Sequence, residues 1–285
     1  MNNALKTTVL LATLTGLLVA IGYFLAGNSG MVLFFGLAVV MNISAYWFSG
    51  DIALRMAGAH EINESQAPDL FQIVSEVATY AHLPMPRVAI IDSPSPNAFA
   101  TGRDANHAVV AVTTGILGIL SREELQGVLA HELGHVRNHD ILISSVAATI
   151  AGAITMLAHA AQWALIFGGM GGRDSRDRNP LGDLLLIILA PLAASMIQLA
   201  ISRSREYGAD DTGAHIIGNP EALASALEKL EMATSVRPLP VNPAVAHMFI
   251  VNPLKGVNFG GLFSTHPPLQ ERIRRLRSMS LARID

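Results

Sequence analysis

The sequence contains no cysteine. That excludes disulfide bonds and thiolate metal ligands, so any metal site must be built from His, Asp and Glu. Charge is also scarce: 14% of the 285 residues are Asp, Glu, Lys or Arg, against roughly a quarter in soluble domains. Hydrophobic residues supply 51%, and mean hydropathy is +0.42. So few charges do not clothe a soluble surface, and part of the chain is expected to face lipid. The net charge of −3 offers no global attraction to nucleic acid, and no such partner is expected. No internal repeat is visible.

What the chain has instead is long apolar runs. Thr7–Ala26 and Met31–Phe48 carry no charged residue and are long enough to span a hydrocarbon core of about 30 Å. Only Gly27–Gly30 lies between them, which predicts a tight hairpin. The second apolar run directly after the first favours a retained anchor over a cleaved signal peptide. A third run, Ile141–Met170, holds His159, read as a packing histidine. A fourth, Leu184–Ile201, contains Pro191 and Gln198, and proline is tolerated in membrane helices. The expected fold is a mainly α integral membrane protein with four transmembrane helices. Residues 1–49 and 141–201 form the two hairpins, and residues 50–140 and 202–285 form two parts of one polar domain.

Within the polar parts, Pro68–Leu83 has apolar residues at helical spacing. The short runs Arg87–Asp92, Asn97–Thr101 and His107–Thr113 read as strands separated by SPSPN and GRDAN turns, and they predict a small β-sheet. Ser121, with Glu124 three residues on, reads as a capping box opening another helix. Pro220–Ala233 and Pro268–Met279 also read as helices.

The helix after Ser121 carries His131-Glu132-Leu133-Gly134-His135. Residues four apart share a helix face, so both imidazoles can reach one ion. Glu132 sits one position round from His131, close enough to take a proton from a water that the metal activates. Further along, Glu206 and Asp210 are also four apart. One division has Glu206 as third ligand and Asp210 accepting a hydrogen bond from a ligand histidine. A solvated cluster of Arg205, Glu206 and Asp210 is the other, and Asp140 or Asp211 compete as acids. His139 and Asp140 are read as helix-boundary residues. Sharing one ion requires both polar parts on one side of the bilayer. At 1.5 Å per helical residue, His135 and Glu206 then lie within roughly 10 Å of the membrane boundary. Lys6, Arg55, Arg137, Arg203 and Arg205 flank membrane ends on the catalytic side, against Arg173, Arg176 and Arg178 on the other, which favours a cytoplasmic site.

HELGHVRNHD, SRSREYGAD, NAFATG (Asn97–Gly102) and FSTHPPLQERI (Phe263–Ile273), in register along this apolar pattern, closely resemble the HtpX family. These are bacterial heat-shock membrane metallopeptidases related to CAAX prenyl proteases, and the resemblance covers essentially the whole chain. It implies a gluzincin-like domain with one Zn²⁺ per subunit, bound by His131, His135 and Glu206, with Glu132 as catalytic base. It also implies a multi-pass protein of the bacterial inner membrane that degrades misfolded membrane proteins or unfolded polypeptide, with the lipid bilayer as its setting. An ATP-dependent membrane protease is an allowed partner. By the same match, Asn97, Ala98, Phe99 and Ala100 form an edge strand that pairs with substrate backbone. His266 and Arg272 match the C-terminal element of the family. His266 or Tyr207 is a candidate donor to the developing oxyanion, while Arg272 is read as an anchor for its helix. Two rivals stand: a site-specific processing protease of the prenyl-protease type, and a membrane scaffold with a structural metal site.

Overall fold

The computed structural model describes residues 3–168, 203–236, 239, 241–253 and 267–281. The fourth apolar run and His266 lie outside the described residues. Helix α1 (Asn3–Met56) consists of two limbs broken at Ala26 and Gly27, where Gly27 takes φ +59°, a left-handed conformation that glycine adopts without a Cβ penalty. The predicted hairpin is therefore present, but its turn is this two-residue break, and Asn28–Gly30 are already helical. The second limb also continues past Phe48 to Met56, so Gly50 does not begin a separate polar region. Asn42 ties the limbs together by donating to Thr15 Oγ1 at 2.8 Å.

Leu5–Tyr23 and Ala26–Met56 are long and apolar enough to cross a membrane. The outward side chains of the second limb include Val32, Leu33, Phe35, Val40 and Trp47, all exposed, as a lipid-facing surface requires. The third apolar run forms α5 (Ile141–Gly168). Its Ile143, Val146, Ala147, Ile150 and Ile154 pack on Leu10, Leu14 and Leu18 of α1.

The polar domain is built on a four-stranded mixed sheet ordered β1-β2-β4-β3. Strands β1 (Ala59–Glu61) and β2 (Arg87–Ile91) are antiparallel, β2 and β4 (Val109–Thr113) parallel, and β3 (Ala98–Thr101) pairs antiparallel with β4. The period of two sorts the side chains onto two faces. On the front, Val88, Ala98, Ala100, Val110 and Val112 meet α2 (Pro68–Ala81) and α4 (Arg122–Arg137). On the back, Ala89, Ile91, Phe99, Val109 and Ala111 meet Ala53, Leu54 and Ala57 of α1, Ala148 of α5 and Phe249. The short β1 and the helix α3 (Thr114–Ile119) have no counterpart in the sequence reading.

Among the described residues, three more helices belong to the domain: α6 (Arg203–Ile217), α7 (Pro220–Val236) and α8 (Leu269–Leu281). The crossing of α4 and α6 is close because both helices present glycine there. A Cβ on Gly134 would lie 3.0 Å from the Ala209 carbonyl oxygen, and one on Gly213 would lie 2.8 Å from the His131 nitrogen. This approach carries the α6 carboxylates to the α4 imidazoles.

Candidate metal centre and active site

Helix α4 begins as its sequence predicts. Ser121 Oγ accepts from the Glu124 N–H at 3.3 Å, and the Glu124 carboxylate accepts from the Ser121 N–H at 2.8 Å. Glu124 is held further by Lys229 at 2.7 Å and Ser225 at 2.7 Å from α7. Rigid placement of α4 fixes everything that follows along it.

One ligand atom from each of His131, His135 and Glu206 lies within 4.8 Å of the others. His135 Nε2 is 3.5 Å from Glu206 Oε1, and His131 Nε2 is 3.9 Å from Glu206 Oε2. Two imidazole nitrogens and a carboxylate oxygen from two helices form the donor set of a catalytic site for a borderline cation, with a coordination position left for substrate or water.

Each histidine has a carboxylate behind it. Asp210 accepts from His131 Nδ1 at 2.9 Å, the division expected from the Glu206/Asp210 spacing. Asp140 Oδ2 lies 3.3 Å from His135 Nδ1. The boundary role read for Asp140 therefore needs correcting: it is also the carboxylate that orients His135. Helix α4 ends in a Schellman motif, with the His139 N–H on the Val136 carbonyl at 3.1 Å and the Asp140 N–H on the His135 carbonyl at 2.9 Å. His139 occupies the left-handed position at φ +57° and does serve as the boundary residue. Asp211 is not at the site; it faces Arg275 at 4.0 Å.

Arg272 is fully buried and grips Asp210 with two bonds, Nε to Oδ2 at 2.8 Å and Nη2 to Oδ1 at 2.7 Å. It also donates to the Ile250 carbonyl at 3.2 Å and lies 3.5 Å from Glu206 Oε2. Besides anchoring its helix, Arg272 thus supports the ligand set. Tyr207 turns to a different partner, with the Arg275 guanidinium 4.2 Å over its ring.

The electrostatics differ group by group. Burial, with the neighbouring Arg272 cation, pushes His131 down to about 4, so this imidazole is neutral. Burial raises Glu132 to about 7, which suits a carboxylate that must accept and return a proton near neutrality. For His135 burial acts downward, but Asp140, Glu206 and Glu132 outweigh it and lift the group to about 10. Asp210 is held below its usual range: burial opposes this, and Arg272 and His131 prevail. Carboxylates crowd round His135 strongly enough to draw a proton onto it. A divalent cation answers that same demand, so the residues fit a metal.

Glu132 Oε2 accepts from the Ala100 N–H of β3 at 2.8 Å. Its Oε1 is buried and, among the described residues, has no hydrogen-bond partner. The bond to Ala100 places the sheet edge beside the Glu132 carboxylate. Strand β3 is at the edge, as expected for Asn97–Ala100, but that edge is partly covered. The Ile250 N–H donates to the Ala98 carbonyl at 3.0 Å, and Asn97 Nδ2 donates to the Val251 carbonyl at 2.7 Å. Phe99 packs edge-on against Phe249, 4.9 Å between centroids, on the opposite face of the sheet from Glu132.

Paired histidines one helical turn apart, a glutamate between them and a second carboxylate from another helix are the arrangement a metallopeptidase active site calls for. Residues 64–280 match peptidase family M48, and the chain belongs to that family. It is 58% identical over 280 residues to a "Protease HtpX homolog" of Syntrophotalea carbinolica, covering 98% of this chain and 99% of the relative. Another protein of that description, from Thermococcus sibiricus, is 56% identical over 97% of this chain and 96% of its own. One from Pyrococcus furiosus is 54% identical over 97% and 96%. The fold is similar to the crystal structure of S. mikatae Ste24p, with a TM-score of 0.51 and 20% identity. That match covers 96% of this chain, which spans 65% of the Ste24p chain. The protein is a metalloprotease, and its apolar α1 limbs make it a membrane protein.

Proposed function

We propose that this chain is a zinc-dependent endopeptidase for misfolded or damaged membrane proteins, with His131, His135 and Glu206 as ligands and Glu132 as general base. The observation that carries this reading is the free Glu132 oxygen beside the ligand triangle. Bound zinc would supply Lewis acidity, polarising the scissile carbonyl and lowering the pKa of water. Glu132 takes a proton from the attacking water as the oxygen–carbon bond forms. It delivers that proton to the amine nitrogen as the carbon–nitrogen bond breaks. In the metal-free site burial lifts this carboxyl above its usual range, the direction that suits a group which both takes and returns a proton. Asp210 and Asp140 hold the two imidazoles with Nδ1 turned away from the ligand side.

Substrate pairs by main-chain hydrogen bonds along β3, a mode indifferent to side-chain sequence and suited to varied unfolded polypeptide. Pairing there requires Ile250 and Val251, now seated on Ala98 and Asn97, to give way. The active site faces the cytoplasm, and a bacterial inner membrane holds four crossings, in line with the excess of basic residues on the catalytic side. An ATP-dependent membrane protease fits as a partner that shares damaged substrates.

The test is hydrolysis of casein by protein purified under chelation and then given zinc. Wild type should bind one zinc and cleave, and Glu132→Gln should bind zinc and not cleave. Full activity in zinc-loaded Glu132→Gln would remove the mechanism.

A further inference from the structure

The carboxylate behind His135 is itself held, and its holder comes from the start of the membrane anchor. Asn3 Nδ2 donates to Asp140 Oδ1 at 2.8 Å and to the His139 carbonyl at 3.1 Å. Both hydrogens of one primary amide are therefore used on the turn that closes α4. Asp140 is buried, at 4% exposure, and its other oxygen faces His135 Nδ1. The chain of contacts runs from the first residue of α1, through Asp140, to the ring of a metal ligand.

We infer that Asn3 is a positioning residue for the metal centre: it fixes the Asp140 carboxylate, which in turn fixes the His135 imidazole. This rests on the zinc reading above. The chemistry of the amide suits the task. A neutral donor orients the carboxylate without adding to the positive charge of Lys6 and Arg205, which already act on Asp140. It also bridges Asp140 to the adjacent carbonyl of His139, so carboxylate and left-handed turn are pinned as one unit. The other histidine needs no such aid from the membrane region, because Asp210 is clamped from within the domain by Arg272. Orienting groups behind a ligand histidine change metal affinity by about 10–100-fold, and Asn3 acts one step further out.

The experiment measures zinc release to a chromogenic chelator from the full-length, detergent-solubilised protein, with thermal melting as the check on folding. Asp140→Asn should release zinc about 10–100-fold faster than wild type. Asn3→Ala should speed release by roughly three- to tenfold, and should add little in the Asp140→Asn background, because the two residues act through one path. Asn3→Ala with wild-type zinc release would overturn the inference and leave the peptidase reading intact. So would an Asn3→Ala effect of equal size in both backgrounds, since that marks a general structural role. Wild-type protein that takes up no zinc would instead sink the reading on which the inference rests.

Discussion

His131 and His135 stand one turn apart on a single helix, yet their surroundings have little in common. His131 is 1% exposed at its side chain, and Asp210 behind it is gripped by a buried arginine. His135 is 17% exposed at its side chain, and its carboxylate is held by an amide from the membrane helix. The interior arm is a charged network that the domain core must satisfy. The outer arm joins a hydrogen-bond chain from the anchor to a carboxylate that Lys6 and Arg205 act on without a clamping pair of bonds. The same ligand type thus carries stability in one place and coupling to the membrane region in the other.

Breaking the interior arm should have the largest effect on folding. Arg272→Met leaves Asp210 buried without its cation, which costs about 3–5 kcal/mol and should appear as a large fall in melting temperature. Arg272→Met combined with Asp210→Asn should recover part of that loss. Asp140→Asn should melt close to wild type while losing zinc readily, so a comparable melting loss in both arms would erase the contrast.

Proton release sharpens the comparison further. In the metal-free molecule His135 titrates near 10 and His131 near 4, so at pH 8 only His135 carries a proton that a metal must displace. Its pKa is raised, so the protonated form persists until pH climbs through about 10. Apparent zinc affinity should therefore increase with pH below that point, by about tenfold per unit. Calorimetry in buffers of different ionisation enthalpy should show about one proton released per zinc, and fewer in Asp140→Asn. The smallest effect belongs to Ser121→Ala, which removes the α4 cap at a cost of about 1 kcal/mol. Zinc binding should survive it, since the cap lies at the far end of the helix from His135.

The interior arm was largely legible in the sequence and the outer arm was not. Helical periodicity sets His131 with His135, and Glu206 with Asp210, on shared faces; it leaves a solvated cluster around Glu206 equally open, and the family resemblance is what favours Glu206 as the third ligand. Asp140 lies five residues beyond His135, further than one turn reaches. Only the left-handed conformation at His139 folds it back, and a histidine in that position, where glycine is the usual signal, gives no warning. Asn3 is separated from Asp140 by 137 positions, and no local pattern links them. The sequence marks Arg272 as a helix anchor; its burial against Asp210 of α6 follows from long-range packing that no local pattern shows. Three of the four strands were visible as short runs between turn-rich segments, β2 and β4 rich in Val and Ile and β3 not. The three-residue β1 (Ala-His-Glu) is too short and too polar to carry an alternating pattern.

The rear of the β-sheet has one more implication. Phe99, Val109 and Ala111 are covered there by Ala53, Leu54 and Ala57 at the end of α1 and by Ala148 of α5. Trimming the protein back to its water-soluble portion would strip that cover and leave a greasy surface directly beneath β3. Such a fragment should clump, or clasp detergent, even with every ligand intact. Enzymology on this peptidase is therefore best done with its lipid-embedded segments still attached.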